Sequence, residues 1–143
     1  MSRALLLLAL ATGSCKTVFV GPQVEVEHVE QVAPTGVRWQ DVVTGVGRRV
    51  RPSDSVTIHY TAHLDSGERI DSTHGRGEPE FFSLQAAPVL GWLDAIPGMR
   101  RGGKRRITVP PHRAFGDEGV EGLIPPGATL EFLVELVSLQ RQP

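Results

Sequence analysis

At 143 residues, 40% hydrophobic and 22% charged, the chain has room for one globular domain with a real core and a short appendage. Its 15 Lys and Arg balance 16 Asp and Glu, which removes any global electrostatic pull toward nucleic acid or an anionic membrane surface. A single cysteine excludes an internal disulfide.

The first element is "MSRALLLLALATGSCK": one cation at Arg3, an apolar run from Ala4 to Ala11, small residues, then Cys15. The run is too short to span a bilayer and suits the h-region of a secretory signal. Residues 1–15 are therefore set apart as a signal peptide, which predicts an exported protein of the periplasm or outer envelope. Two cleavage points compete. Ala9-Leu10-Ala11 meets the small-x-small rule, whereas cleavage before Cys15 turns that thiol into a lipid acceptor. The second resembles a bacterial lipoprotein signal, although Thr12 stands where a lipobox leucine is usual and Leu10 lies too far upstream. Lipidation of Cys15 is the preferred reading, because a lone cysteine at the end of a signal has no disulfide partner.

Residues 16–36 read as a linker. Val24 and Val26 alternate with Glu25 and Glu27 before Pro34 and Gly36 break the pattern, giving a tether with some strand character that reaches roughly 70 Å when extended. The domain proper is assigned to residues 37–143. "VRWQDVV" is a strand running to the turn signal "TGVG", and "SVTIHYTAHL" turns through "DSGE" into "RIDST" as a hairpin. "EFFSL" is another short strand. In "VLGWLDAIPGM", Val89, Leu93 and Ile96 have helical spacing, and Pro97 with Gly98 stops the helix. "KRRITV" is a strand ending at Pro110-Pro111, and "TLEFLVELVSL" closes the chain with Leu130, Phe132, Val134 and Leu136 on one face. Mostly strands with one helix give an α+β domain whose antiparallel sheet wraps that helix.

A search for chemistry returns mainly absences: no Gly-x-Ser-x-Gly elbow, phosphate-binding loop, His-Glu-x-x-His or Cys-x-x-Cys pair. His59 and His63 share a strand face but lack a third ligand, so they read as surface histidines, with no metal and no cofactor assigned. The cluster Arg100, Arg101, Lys104, Arg105, Arg106 has no interleaved aromatics and reads as a solvated turn and strand face, not a nucleic-acid site.

"VTIHYTAHLDSGERIDST", "VLGWLDAIPGMRRGGKRRITVPP" and "AFGDEGVEGLIPPGATLEFLVEL" resemble, in order and spacing, the FKBP-type peptidyl-prolyl cis-trans isomerases over residues 37 to 140. The resemblance implies a curved antiparallel sheet of about five strands around one short α-helix, with a shallow pocket between them. It makes Trp92 the pocket floor, Tyr60, Phe82 and Phe132 its walls, and Phe115 and Ile124 the contribution of a long loop. Val89 stands at the helix entrance. Asp71 holds a hydrogen-bond network beside Tyr60, together with Arg76. In "GLIPPG" the prolines fix φ and remove donors, keeping Leu123 and Ile124 presented to substrate. Partners are proline-containing polypeptides, the membrane is met only through the N-terminal anchor, and a monomer suffices.

The residues depart from the family pattern in places. Ile70 replaces an aromatic before Asp71, Phe115 replaces a tyrosine, and Pro79 is followed by Glu80, Phe81 and Phe82. The segment before Trp92 is one residue short of the usual spacing. Phe82 is preferred over Phe81 as the inward ring, because Phe82-x-Leu84 keeps the alternation. The competing class is a non-catalytic binding or chaperone module of the same fold.

The chemistry that this family performs needs no nucleophile. Rotation about a prolyl bond faces a barrier of about 18–20 kcal/mol because amide resonance must be broken, and a dry pocket that fits the twisted amide better than either planar form lowers it.

Overall fold

The computed structural model describes residues 29–143. The signal sequence, Cys15, and Val24 and Val26 lie outside those residues. Nine strands follow in chain order: β1 Gln31–Val32, β2 Arg38–Val43, β3 Val46–Arg49, β4 Ser55–Leu64, β5 Arg69–Ser72, β6 Glu80–Ser83, β7 Arg100–Arg101, β8 Lys104–Val109 and β9 Leu130–Gln140. Two short α-helices, α1 Thr73–Arg76 and α2 Leu90–Ala95, complete the set.

All pairings are antiparallel, and the main sheet runs β1-β2-β8-β9-β4-β5, with β6 also on β4. This is the expected α+β architecture with more strands than the sequence suggested, seven in the main sheet. The length of β4 explains part of the excess. Its first half pairs with β6 from Ser55 to Ile58, and its second half with β5 from Thr61 to His63, so two short strands share one flank.

Alternation dictates which face is buried. Val56, Ile58, Tyr60, Ala62 and Leu64 of β4 point inward beside Leu130, Phe132, Val134 and Leu136 of β9, as period-2 side-chain direction requires. Against this face lies α2. Its Trp92, Ala95 and the following Ile96 are fully enclosed, each of the larger side chains stabilising the fold by about 1.5–3 kcal/mol through burial. Gly91 is what allows the approach. A Cβ there would stand 2.5 Å from Val109 Cγ1.

Besides the extra strands and the second short helix α1, two features differ from the sequence reading. The folded unit begins before Val37, because β1 pairs with β2 and Thr35 Oγ1 donates to Asp94 of α2 at 3.1 Å; the last residues of the assigned linker thus belong to the domain. Arg105 is not part of a solvated face. Strand alternation turns it inward, where Nε donates to Asp41 at 2.7 Å and Nη1 to the Ala95 and Pro97 carbonyls at the end of α2. A buried guanidinium is tolerable only with such partners. Its neighbours Lys104 and Arg106 stay outside and pair with Glu135 and Glu131.

Candidate active site

The inner faces of β4, β5 and β9, the start of α2 and the 110–129 loop enclose a cavity of about 140 Å³. Tyr60 and Ala62 come from β4, Leu130 and Phe132 from β9, Ile70 and Asp71 from β5. Pro88, Val89 and Trp92 close the helix side, while Phe115, Val120, Leu123 and Ile124 descend from the loop.

Trp92 is the geometric centre. Its ring meets Tyr60 edge-on at 5.0 Å and Phe132 edge-on at 5.2 Å, arrangements that favour the positive ring edge on a negative face. Phe82 stacks on Trp92 at 5.4 Å. The preference for Phe82 over Phe81 matches the burial, since Phe82 is buried and Phe81 is 58% exposed. Its place differs from the expectation, however: Phe82 is absent from the cavity lining and stacks on the Trp92 ring. Arg76 likewise does not line the cavity and stands at its exposed polar edge.

That edge is a closed hydrogen-bond network. Tyr60 Oη donates to Asp71 Oδ2 at 2.6 Å, and Arg76 Nη1 donates to both Asp71 oxygens at 3.0 and 3.2 Å. Arg76 Nη2 also reaches Tyr60 Oη and Glu80 Oε2, each at 3.3 Å. The Ser72 N–H donates to Asp71 Oδ1 at 2.8 Å. Burial and, next, the bond to Asp71 push the Tyr60 phenol up to about 12, so it stays a neutral donor across the physiological range. The cavity lining thus offers one carboxylate, already fully engaged in hydrogen bonds, and contains no His, Cys or Lys.

Gly119 is the most tightly confined glycine of the loop. A Cβ on Gly119, at φ +62°, would lie 2.2 Å from the Ile124 carbonyl oxygen, so only glycine permits the exchange of bonds between Val120 and Ile124 at 2.8 and 2.9 Å. This small bridge presents Val120 and Ile124 to the cavity while Leu123 remains half-exposed. A wider, more open hollow of about 550 Å³ adjoins it, sharing those three residues and continuing over Leu64, Glu68, Glu118 and Glu121. It has no aromatic wall, and the smaller, aromatic-lined cavity is the candidate site.

Sequence reasoning missed Ala62, Pro88, Val120 and Leu130. Alternation supplied a signal for two of them, as Ala62 follows Tyr60 and Leu130 precedes Phe132 on the same faces. His59, read as a surface residue, stacks on His74 at 4.4 Å with Nδ1 2.9 Å from Thr73 Oγ1.

The family model for FKBP-type peptidyl-prolyl cis-trans isomerase matches residues 47–137. The chain belongs to this family. Curated relatives agree with that membership. FK506-binding protein 1 of Debaryomyces hansenii is 39% identical over 109 residues, 75% of this chain and 97% of that one. An FK506-binding protein of Neisseria meningitidis is 37% identical over 73% of this chain and 96% of its own length. FKBP-type peptidyl-prolyl cis-trans isomerase FkpA of Escherichia coli is 36% identical over 79% of this chain, which spans only 41% of it. Among solved structures, the FkpA crystal structure superposes with a TM-score of 0.73 over 80% of this chain and 53% of that one. AtFKBP13 superposes with 0.71 at 32% identity, covering 77% of this chain and 98% of the other. The FKBP domain described here is accordingly a peptidyl-prolyl cis-trans isomerase.

Proposed function

We propose that this isomerase accelerates X-Pro rotation in exported polypeptides by drawing the prolyl ring onto Trp92 and holding the twisted amide in a cavity from which water is excluded. The observation that carries this reading is the composition of the lining, in which Tyr60, Trp92, Phe115 and Phe132 surround a mainly apolar hollow and the ionisable groups, Tyr60 and Asp71, are joined to one another. An amide transferred from water to such a surrounding loses stabilisation of its polar resonance form, and each 1.36 kcal/mol removed from the barrier gives about a tenfold gain in rate. Neither a nucleophile nor a proton relay is needed.

The exported setting is supported by the leader, whose cation, apolar run and small residues before Cys15 have the make-up of a lipoprotein signal. In this reading Cys15 carries the lipid, and the chain up to β1 holds the domain away from the envelope membrane. A refolding assay limited by proline isomerisation, run with the full chain and with Trp92→Ala, tests the activity. Acceleration by the wild type, lost in the variant, is the expected result; equal rates with and without the wild type would leave a binding module instead. Membrane partitioning of the full-length protein, released by Cys15→Ser, tests the anchor.

A further inference from the structure

One ion pair joins two walls of the cavity without touching the cavity itself. Arg113 ends the short turn Pro111–Arg113, just ahead of the wall residue Phe115, and Asp94 lies on α2 just beyond the floor residue Trp92. Arg113 Nε donates to Asp94 Oδ2 at 2.9 Å, and Nη2 to the Leu90 carbonyl at the start of α2 at 3.3 Å. The two side chains are only 22% and 17% exposed, so solvent screens the pair less than a surface bridge. Neither residue lines the cavity.

The chain entering the domain is bound to the same point. Asp94 Oδ2 also accepts from Thr35 Oγ1 at 3.1 Å, and His112 Nε2 stands 2.7 Å from the Thr35 carbonyl. A carbonyl can only accept, so that nitrogen is the donor.

The loop's other hydrogen bonds are internal. Gly116 N–H donates to the Pro111 carbonyl, Gly119 N–H to Phe115 and Gly127 N–H to Gly116, between 2.8 and 3.0 Å. Such bonds fix the loop's own shape; its distance from α2 depends on the packing of Ile124, Ala114, Phe115 and Val120 against the core and on polar ties between the two. Among the described residues, the polar ties between the loop and α2 are those of Arg113. A loop of this length has many conformations to lose, and a tie that spans elements removes those in which Phe115 swings away from Val89 and Trp92.

We propose that Arg113 and Asp94 are positioning residues for isomerisation, a latch that sets the width of the cavity between Phe115 and α2 and through it the affinity for the prolyl substrate. This inference rests on the isomerase reading of the cavity. Phe115 touches substrate in both the planar and the twisted state, so loosening it removes binding common to both, which raises KM and spares kcat.

The test is steady-state kinetics on a prolyl peptide with the full chain and its Arg113→Gln, Asp94→Asn and doubly substituted variants, each also unfolded in urea. Expected is a KM raised about five- to tenfold in either single variant, with kcat within about twofold, and a double variant no worse than the worse single, as for two halves of one interaction. Arg113→Lys, which keeps the charge opposite Asp94, recovers part of the affinity. Asp94→Asn keeps shape and volume, so it reads the latch even if the Arg113 variant folds poorly. Unchanged KM in both single variants overturns the latch. So do losses that simply add, or a fall in kcat that tracks the urea midpoint. An active wild type with insensitive variants overturns the latch alone, whereas an inactive wild type overturns the isomerase reading and the latch with it.

Discussion

Tyr60 and Asp71 meet diagonally across the β4–β5 hairpin, where Asp71 pairs with Ala62, the phenol oxygen 2.6 Å from Oδ2, and Arg76 closes the triangle by donating to both. The geometry gives the phenol a definite state. Asp71 accepts from Arg76, from Tyr60 and from the Ser72 amide, while the phenol keeps its proton well past the ordinary range.

Tyr60 is the only tyrosine in the chain, which makes this state directly measurable. Tyrosinate absorbance should show a midpoint raised from 10.0 to about 12, first because of burial and then because of the Asp71 bond. Asp71→Asn should bring it down. The folded protein retains the proton where the unfolded chain has lost it, so stability falls as pH rises from the unfolded value of 10.0 through the folded value of about 12. A folded-state midpoint at the ordinary value would refute the network.

Because no His, Cys or Lys lines the cavity, isomerisation rates should be flat between about pH 6 and 8. Tyr60→Phe keeps the ring and removes one donor, and should lower kcat/KM by no more than about tenfold, roughly 1.4 kcal/mol. A bell-shaped profile, or complete inactivity of a well-folded Tyr60→Phe protein, would point to proton transfer instead of desolvation.

Asp54, wholly buried at the head of β4, is expected to govern acid stability. Burial alone would raise its carboxyl, but the Arg51 N–H at 2.9 Å and Arg48 Nη1 at 2.8 Å outweigh burial and hold it below its ordinary value of 3.8. A depressed carboxylate stabilises the fold above the unfolded value and loses that contribution as pH falls through the folded one. Asp54→Asn should cost about 1–2 kcal/mol at neutral pH and flatten the acid limb of a stability profile measured by urea unfolding. An unaltered acid limb would assign acid sensitivity elsewhere.

Gly91→Ala probes the contact between α2 and β8. With Val109 Cγ1 at 2.5 Å and Cγ2 at 2.8 Å from the added Cβ, either the helix or the strand must shift, at a cost of about 1–3 kcal/mol. Thermal unfolding should detect it. Retention of the wild-type midpoint would mean that α2 is not pressed on Val109.

Truncation tests the start of the domain. A chain beginning at Val37 lacks β1 and the Thr35 bond to Asp94, and should be less stable than one beginning at Val29 by about 1–2 kcal/mol, on the scale of a few net hydrogen bonds. Equal midpoints would return Gln31–Val32 to the tether.

Much of this was determined by the sequence alone. Period-2 alternation in "SVTIHYTAHL" and "TLEFLVELVSL" assigned β4, β9 and their buried faces, and Pro97 with Gly98 marked the end of the helix region, because side-chain direction and backbone restriction are local properties. The order of Tyr60, Asp71, Trp92, Phe115 and Ile124 was enough to indicate the family and its cavity. Tertiary structure alone decided the rest. Arg105 reads as one more charge in a basic run until β2 and α2 bring Asp41 and the Ala95 carbonyl to it. Phe82 moves from the lining to a place beside the indole once ring packing is explicit. Arg113 and Asp94 show no mutual signal along the chain, since the contact between them exists only after the loop folds back over α2. Local sequence encodes the direction in which a side chain points; which distant group it meets depends on how the elements close around the core.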